Sequence, residues 1–548
     1  MACFLRAKRD RQLARYFHQP PEPLVVRDDG GTVIAQHPQA REIGEGVLRS
    51  GGNAFDAFVA TVAAENVLAE GASTLAGPLG VMVYTSRDGR TSYMDAEFND
   101  PLDPSWHWAH RMPRDGRTVL VPGAPAGLAA LAEGYGTRPL AELLQPAMDL
   151  ATGGFPICNL MAAFIAQRAP VLRRTTYGRT TYFSPNGKPL QAGETIRLPA
   201  VASFLAGLSR EGPAYVYGGE WGRNFLAEVR ERHGLLTAGD LASYRVQWTA
   251  PWRTTYRNHE LYSSPGYGGL WTQLALKTLE HIPLPDRVDF VKDAMALETL
   301  VRVVREVWAE SWLLDWRALE NRALVESRVT EAYTRSIAER VRKNVRAHPV
   351  SSAGSHSYHI IVLDQAGNCA SGTTTIEAEP WGEGFFVQGI PLSTAGVIPW
   401  STAAGRRRLS PFSIHFAFHE QRLRFGVGAL SNSAAEAAFQ FLVNLIDFKL
   451  PPDGAVTAPR CGTFPAKSAT RVDLSRNWID PRVDPQVLAA LRKHGLKLQP
   501  TGIIDTGLGS ILAVQPSGGS LGITAPVPYI SNPFGGRVGA KISRSGPI

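Results

Sequence analysis

Ser357 heads the run Ser357-Tyr358-His359-Ile360-Ile361-Val362-Leu363-Asp364, which is followed by Gly367-Asn368 and Thr373-Thr374-Thr375. A hydroxyl residue thus opens an apolar strand that turns and returns. Ahead of it, Pro349-Val350-Ser351-Ser352-Ala353-Gly354-Ser355-His356 is small and polar, the composition of a loop, whereas the strand behind can hold one atom firmly. If the Ser357 hydroxyl cuts the bond between His356 and Ser357, the new chain end carries a free α-amino group beside that hydroxyl. Such an amine has a pKa of about 7.7–8.0, so near neutral pH it accepts the hydroxyl proton without a separate histidine–aspartate pair. Ser357 would then both release its own chain end and attack an acyl carbon.

The elements that must position this serine follow from periodicity. Residues 51–70 begin Gly51-Gly52-Asn53-Ala54-Phe55-Asp56-Ala57 and continue as an almost wholly apolar, alanine-rich helix pattern, which belongs between layers. Residues 81–84 and 91–95 read as a hairpin turning through Ser86-Arg87-Asp88-Gly89-Arg90. From 121 to about 348 the pattern is mainly helical, with amphipathic candidates at 127–135, 139–152, 221–232, 271–281 and 294–309, so this half is expected to form a helical layer. Strand periodicity takes over at 358–364, 369–376, 414–419 and 423–427, a helix returns at 434–448, and further strands are expected at 510–514 and 521–524. Together these predict a layered α/β (α+β) architecture in which two packed sheets lie between helices, an αββα sandwich.

Composition narrows the class. With 548 residues, 44% hydrophobic and 19% charged, the chain is globular and large enough for two ordinary domains or one large layered unit. The net charge of +8 comes from dispersed basic residues without any nucleic-acid-binding module, so solubility is its reading and no nucleic acid is expected as partner. Arg6, Lys8, Arg9, Arg11 and Arg15 read as a solvated arm covering 1–23. No apolar run reaches the roughly 18 residues that span a bilayer, and no apolar signal segment follows the basic start, so no membrane partner and a cytoplasmic location are expected. Cys3, Cys158, Cys369 and Cys461 form no CxxC pair; buried thiols, no metal and no cofactor are expected.

On these residues the chain resembles the gamma-glutamyltransferase family of N-terminal nucleophile hydrolases, whose small subunit opens Thr-Thr-His, an apolar strand, Asp-x-x-Gly-Asn and a threonine-bearing strand. Anchoring on Asp364-Gln365-Ala366-Gly367-Asn368 places Ser357 at the nucleophile, Tyr358 at the second threonine and His359 on the histidine. Serine for threonine preserves the chemistry. Gly51-Gly52-Asn53-Ala54-Phe55-Asp56-Ala57, Val121-Pro122-Gly123, Leu409-Ser410-Pro411, Asn444-Leu445-Ile446-Asp447-Phe448 and Ala458-Pro459-Arg460 match further family landmarks in order. The resemblance implies a large-subunit region at 24–356 and a small-subunit region at 357–548, forming one intertwined unit as a heterodimer after autocleavage. It also implies that Thr375 bonds the reacting group and assists processing, and that main-chain N–H groups near Ser431 and Asn432 form the oxyanion hole, although glycines stand there in the family.

The resemblance fails where the family binds a gamma-glutamyl group. Its carboxylate-gripping arginine is replaced by Glu97, its asparagine two residues after the threonine by Glu377, its amine-binding aspartate falls near Val397, and its paired serines are Arg407 and Arg408. A carboxylate facing a carboxylate repels it. These four charged residues either pair among themselves or read a differently charged substrate. The expectation is an autoprocessing amide hydrolase or acyltransferase acting on a small-molecule amide unlike glutathione. The alternatives are a specialised-metabolite hydrolase cleaving an unusual bond, including C–C, and an unprocessed scaffold without activity.

Overall fold

The computed structural model describes residues 24–28, 30–106, 114–285, 292–343, 357–397, 403–430, 433–465, 472–480, 482–496, 498–500, 508–515 and 519–524. Two antiparallel sheets, of six and seven strands, form its centre. Their strands in chain order are β1 (Leu24–Asp28), β2 (Gly31–Ile34), β3 (Leu79–Thr85), β4 (Arg90–Ala96), β5 (Gln247–Thr249), β6 (Trp252–Tyr256), β7 (His259–Ser263), β8 (Ser357–Asp364), β9 (Cys369–Thr375), β10 (Ser413–His419), β11 (Arg422–Leu430), β12 (Leu508–Val514) and β13 (Ser520–Thr524). The six-stranded sheet runs β2-β8-β9-β3-β4-β5 and the seven-stranded one β1-β13-β12-β11-β10-β7-β6.

Alternation along β8 explains how the layers stack. Ile360 and Val362 join Ala57, Phe58 and Val62 in an outer core, whereas Ile361 joins Met82, Phe412, Phe416 and Leu512 in a core between the sheets. The helix α1 (Ala54–Leu68) is buried all round, as its apolar composition requires, because it is sandwiched between the six-stranded sheet and α2 (Leu140–Gly153). On the far side α3 (Tyr267–Glu280) and α5 (Ala434–Ile446) cover the seven-stranded sheet through Leu270, Trp271 and Phe439, and α4 (Ala294–Trp308) packs against α3. The result is the expected αββα sandwich.

One expectation needs correction. The stretch 121–348 is not purely a helical layer, because β5, β6 and β7 interrupt it and supply the edge of each sheet. Their sequences are short and half polar, Gln247-Trp248-Thr249 lying at the exposed surface, so helix periodicity on either side masks them. The pairs β1 and β2, just beyond the N-terminal arm, are likewise additional strands. The arm at 1–23 itself lies outside the described residues. Cys158, Cys369 and Cys461 are free and buried, and among the described residues no helix is long and apolar enough to cross a membrane.

Candidate active site

The turn Asp364-Gln365-Ala366-Gly367-Asn368 fixes what stands opposite Ser357. Gly367 adopts φ +85°, a left-handed conformation that favours glycine, and its N–H closes the turn on the Asp364 carbonyl at 3.0 Å. The Asp364 carboxylate accepts from the Asn368 backbone at 2.9 Å, the Asn368 amide at 2.9 Å and the Ala54 N–H at 3.0 Å, tying the hairpin to the start of α1. From that lock the β8–β9 register runs without a slip to Leu363 opposite Cys369, His359 opposite Thr373 and Ser357 opposite Thr375. The motif therefore acts at a distance: it sets the register that gives Ser357 its neighbour.

Ser357 is half-buried at the head of β8, and Thr375 is fully buried at the end of β9. Directly opposed residues share a face, so both lie on the face that His359 occupies between the sheets. His359 donates and accepts along a closed polar set: Nδ1 meets Thr373 Oγ1 at 2.8 Å, Nε2 meets Ser371 Oγ at 3.0 Å, and its N–H bonds Gln36 Oε1 at 3.1 Å. Gly428 of the facing sheet lies against this ring so closely that a Cβ there would fall 1.9 Å from Nε2. Burial pushes His359 down to about 3, so it is neutral at physiological pH and serves as a packed spacer, not a base. Tyr358 points the other way, buried in the α1 layer.

Beyond Thr375 the chain bends through Glu377, held at φ +49°, whose N–H donates to Thr375 Oγ1 at 2.9 Å. Glu377 is fully buried, and among the described residues neither of its carboxylate oxygens has a hydrogen-bond partner. Burial pushes it up to about 8, against the pull of the Arg408 cation. Glu97 is buried at the end of the β4 segment; one oxygen accepts the Phe98 N–H at 3.1 Å and the other has no partner among the described residues. Burial first, then the charges of Glu377 and Asp95, hold Glu97 well above the usual carboxylate range. Tyr267, at the start of α3, is raised by burial and then by the charges of Glu377 and Glu97, which places the acidic pair against the helix layer of the other sheet.

The two arginines are engaged elsewhere. Arg408 is fully buried and ion-paired with the equally buried Asp100 at 3.3 Å, while its N–H donates to the Phe98 carbonyl at 2.9 Å. Arg407 donates to the Tyr244 hydroxyl at 2.6 Å and to the carbonyls of Glu97 and Arg245, stacks over the Tyr244 ring at 4.6 Å, and lies 3.9 Å from Asp95. Each arginine thus has its own aspartate, and the segment 406–408 is laced to 97–100 by backbone bonds as well. The structure brings together Ser357 with Thr375, Thr375 with Glu377, and Glu377 with Glu97; the Arg408 charge acts on both carboxyls, and Arg407 holds the Glu97 carbonyl. His356, Ser431 and Asn432 lie outside the described residues, while the β11 strand leading to them ends at Leu430. Asp95, Asp100, Tyr244 and Tyr267 were not singled out from the sequence, since nothing in their spacing pairs them with residues more than a hundred positions away. Among the described residues no group of acidic, histidine or cysteine side chains could hold a metal ion.

The other landmarks carry structure. Ser410 Oγ bonds the Tyr93 hydroxyl at 3.2 Å, Asn444 donates to the Ala455 carbonyl at 3.2 Å, and buried Arg460 donates to the Val456 carbonyl at 2.8 Å.

A sequence profile of the family described as Gamma-glutamyltranspeptidase matches residues 40–526. Among curated proteins, the chain is similar to the Acylase ACY 1 proenzyme of Pseudomonas sp. (strain SE83), with 29% identity over 482 residues, covering 79% of this chain and 82% of the relative. It is also similar to the Glutathione hydrolase proenzyme of Pseudomonas aeruginosa, with 26% identity over 479 residues and the same shares of 79% and 82%. Among solved structures, cephalosporin acylase from Bacillus halodurans superposes with a TM-score of 0.80 at 23% identity, over 93% of this chain and 97% of that one, a likeness of fold. With the sandwich, the ordered landmarks and a profile match over most of its length, the chain belongs to the gamma-glutamyltranspeptidase family, enzymes of the N-terminal nucleophile hydrolase type.

Proposed function

We propose that the chain is a proenzyme that cuts itself between His356 and Ser357 and then hydrolyses or transfers the acyl group of a small-molecule amide unlike glutathione. The observation that carries this reading is the β8–β9 register, which sets Thr375 directly across from Ser357 at the head of a rigid strand. Ser357 Oγ attacks the acyl carbon, and the α-amine freed by processing takes its proton and returns it to the leaving amine. Thr375 Oγ1, which accepts the Glu377 N–H, orients the reacting hydroxyl. Main-chain N–H groups near Ser431 and Asn432 hold the tetrahedral oxyanion, an interaction for which loss of one donor costs about 2.7–4 kcal/mol. Water or an acceptor amine then releases the acyl group and restores the free hydroxyl; the earlier cut makes residues 24–356 and 357–548 the two interleaved parts of one heterodimer.

Glu97 and Glu377 border the acyl group in this reading, while Arg407 and Arg408 bind the protein's own Asp95 and Asp100. A gamma-glutamyl α-carboxylate would meet two acidic side chains and no available guanidinium, which disfavours it. The acylase relative supports the wider reading, since the family includes a protein of that name. Acyl release from N-acyl anilides by purified protein, with Ser357→Ala as control, tests the proposal. Release that survives Ser357→Ala overturns the nucleophile, and brisk turnover of glutathione or a gamma-glutamyl anilide overturns the substrate class.

A further inference from the structure

The acidic pair beside Ser357 has a feature that the hydrolytic reaction does not use. Three of the four carboxylate oxygens, Glu97 Oε2 and both of Glu377, have no hydrogen-bond partner among the described residues, although both side chains are at most 1% exposed. Buried acceptors are ordinarily paired, and an orphaned one in a native fold needs an explanation. An internal ion pair does not supply it. Arg408 is bonded to Asp100 and Arg407 is held by Tyr244, by two carbonyls and near Asp95, so each cation is matched before Glu97 and Glu377 are counted. The pair is therefore unmatched acceptor capacity, with Glu377 two residues beyond Thr375, the last residue of β9 and the one that faces the nucleophile.

Resting on the reading above that Ser357 is an acyl nucleophile, we infer that the acyl side of the substrate carries a cationic nitrogen group, an ammonium, amidinium or guanidinium, which seats on Glu97 and Glu377. Such a group brings the several N–H donors that the orphaned oxygens lack, and a charge that favours their ionised form. An anionic acyl group brings no N–H donor to those acceptors and opposes ionisation of either carboxyl, adding a like charge wherever one is ionised. A neutral alkyl group would leave them unpaired without repulsion. The expected order of substrates is thus cationic, then neutral, then anionic.

The experiment compares three p-nitroanilides of matched length near neutral pH: 5-aminopentanoyl, pentanoyl and glutaryl. The cationic substrate is expected to exceed the neutral one by about tenfold or more in kcat/KM, and Glu377→Gln is expected to collapse that preference to within about threefold. Glu97→Gln serves as the second variant. In parallel, the thermal shift of processed wild-type protein with n-alkylammonium ions from propyl to hexyl is compared with that from alkanoates of equal length. A shift by the ammonium series that is absent in Glu377→Gln supports the inference even if no anilide is cleaved, in which case it is the acyl-transfer reading that fails. Anilide cleavage without charge preference, or with glutaryl preferred, overturns the inference and leaves the nucleophile standing. Neither cleavage nor ammonium binding overturns both.

Discussion

Replacing Arg408 by methionine tests whether this arginine braces the site or receives substrate. Its guanidinium and the Asp100 carboxylate are both 0% exposed and 3.3 Å apart, so removing the cation strands a buried anion. Breaking a buried pair from one side costs about 3–5 kcal/mol, chiefly because the remaining charge has lost its solvation and its partner. Arg408→Met is therefore expected to lower the stability of the purified protein by about that amount, and Asp100→Asn alone by a similar amount. The double variant Arg408→Met/Asp100→Asn carries no stranded charge. It should be no less stable than either single variant, giving a coupling energy of at least about 3 kcal/mol in a double-mutant cycle followed by urea unfolding. A substrate receptor would behave differently: Arg408→Met would raise KM with little change in stability. Single variants within about 1 kcal/mol of wild type, adding without coupling, would refute the bracing role.

Two further outcomes follow from the core. Gly428→Ala places a methyl group 1.9 Å from His359 Nε2, inside a ring already held by Thr373 and Ser371, and should cost about 1–3 kcal/mol by overpacking plus about 1 kcal/mol for each hydrogen bond displaced. Combined with His359→Ala the same methyl finds space, so urea unfolding should show the double variant more stable than the sum of the singles; strict additivity would contradict the contact. The second outcome concerns pH. Burial holds His359 and His415 at about 3, below their unfolded value, so the stability they confer is full above about 6.5 and is lost as pH falls, by about 2 kcal/mol each at pH 5. Glu65, Glu70 and Glu377 are raised to about 8, so their contribution is full below about 4.5 and is lost as pH rises toward 8. Denaturant midpoints should peak between about pH 5 and 6, with the alkaline limb flattened by Glu70→Gln; a steady rise from pH 5 to 8 would contradict this.

Much of this organisation was legible because it is local. The run from Ser357 to Thr375 shows strand, turn and strand through period-2 apolarity and one Asp-x-x-Gly-Asn turn, and α1 shows through its unbroken apolar composition. The strands Gln247–Thr249 and Trp252–Tyr256 were hidden because a three-residue exposed edge and a half-polar strand leave no period long enough to register between helices. At the site, the charges of Glu97, Glu377, Arg407 and Arg408 could be read, but their partition could not. That depends on Asp95 and Asp100 lying against Arg407 and Arg408 across three hundred residues of chain, a product of how β4 meets the segment before β10. The same holds for Gly428, whose need for a bare backbone arises only when His359 arrives from the other sheet.

The central claim is that Ser357 becomes a chain terminus. Intact mass measurement of the purified protein, with N-terminal sequencing of any fragment, addresses it without knowledge of the substrate. The account predicts two polypeptides, the smaller starting Ser357-Tyr358-His359, and one uncut chain for Ser357→Ala. Active wild-type protein with the His356–Ser357 bond intact would contradict it.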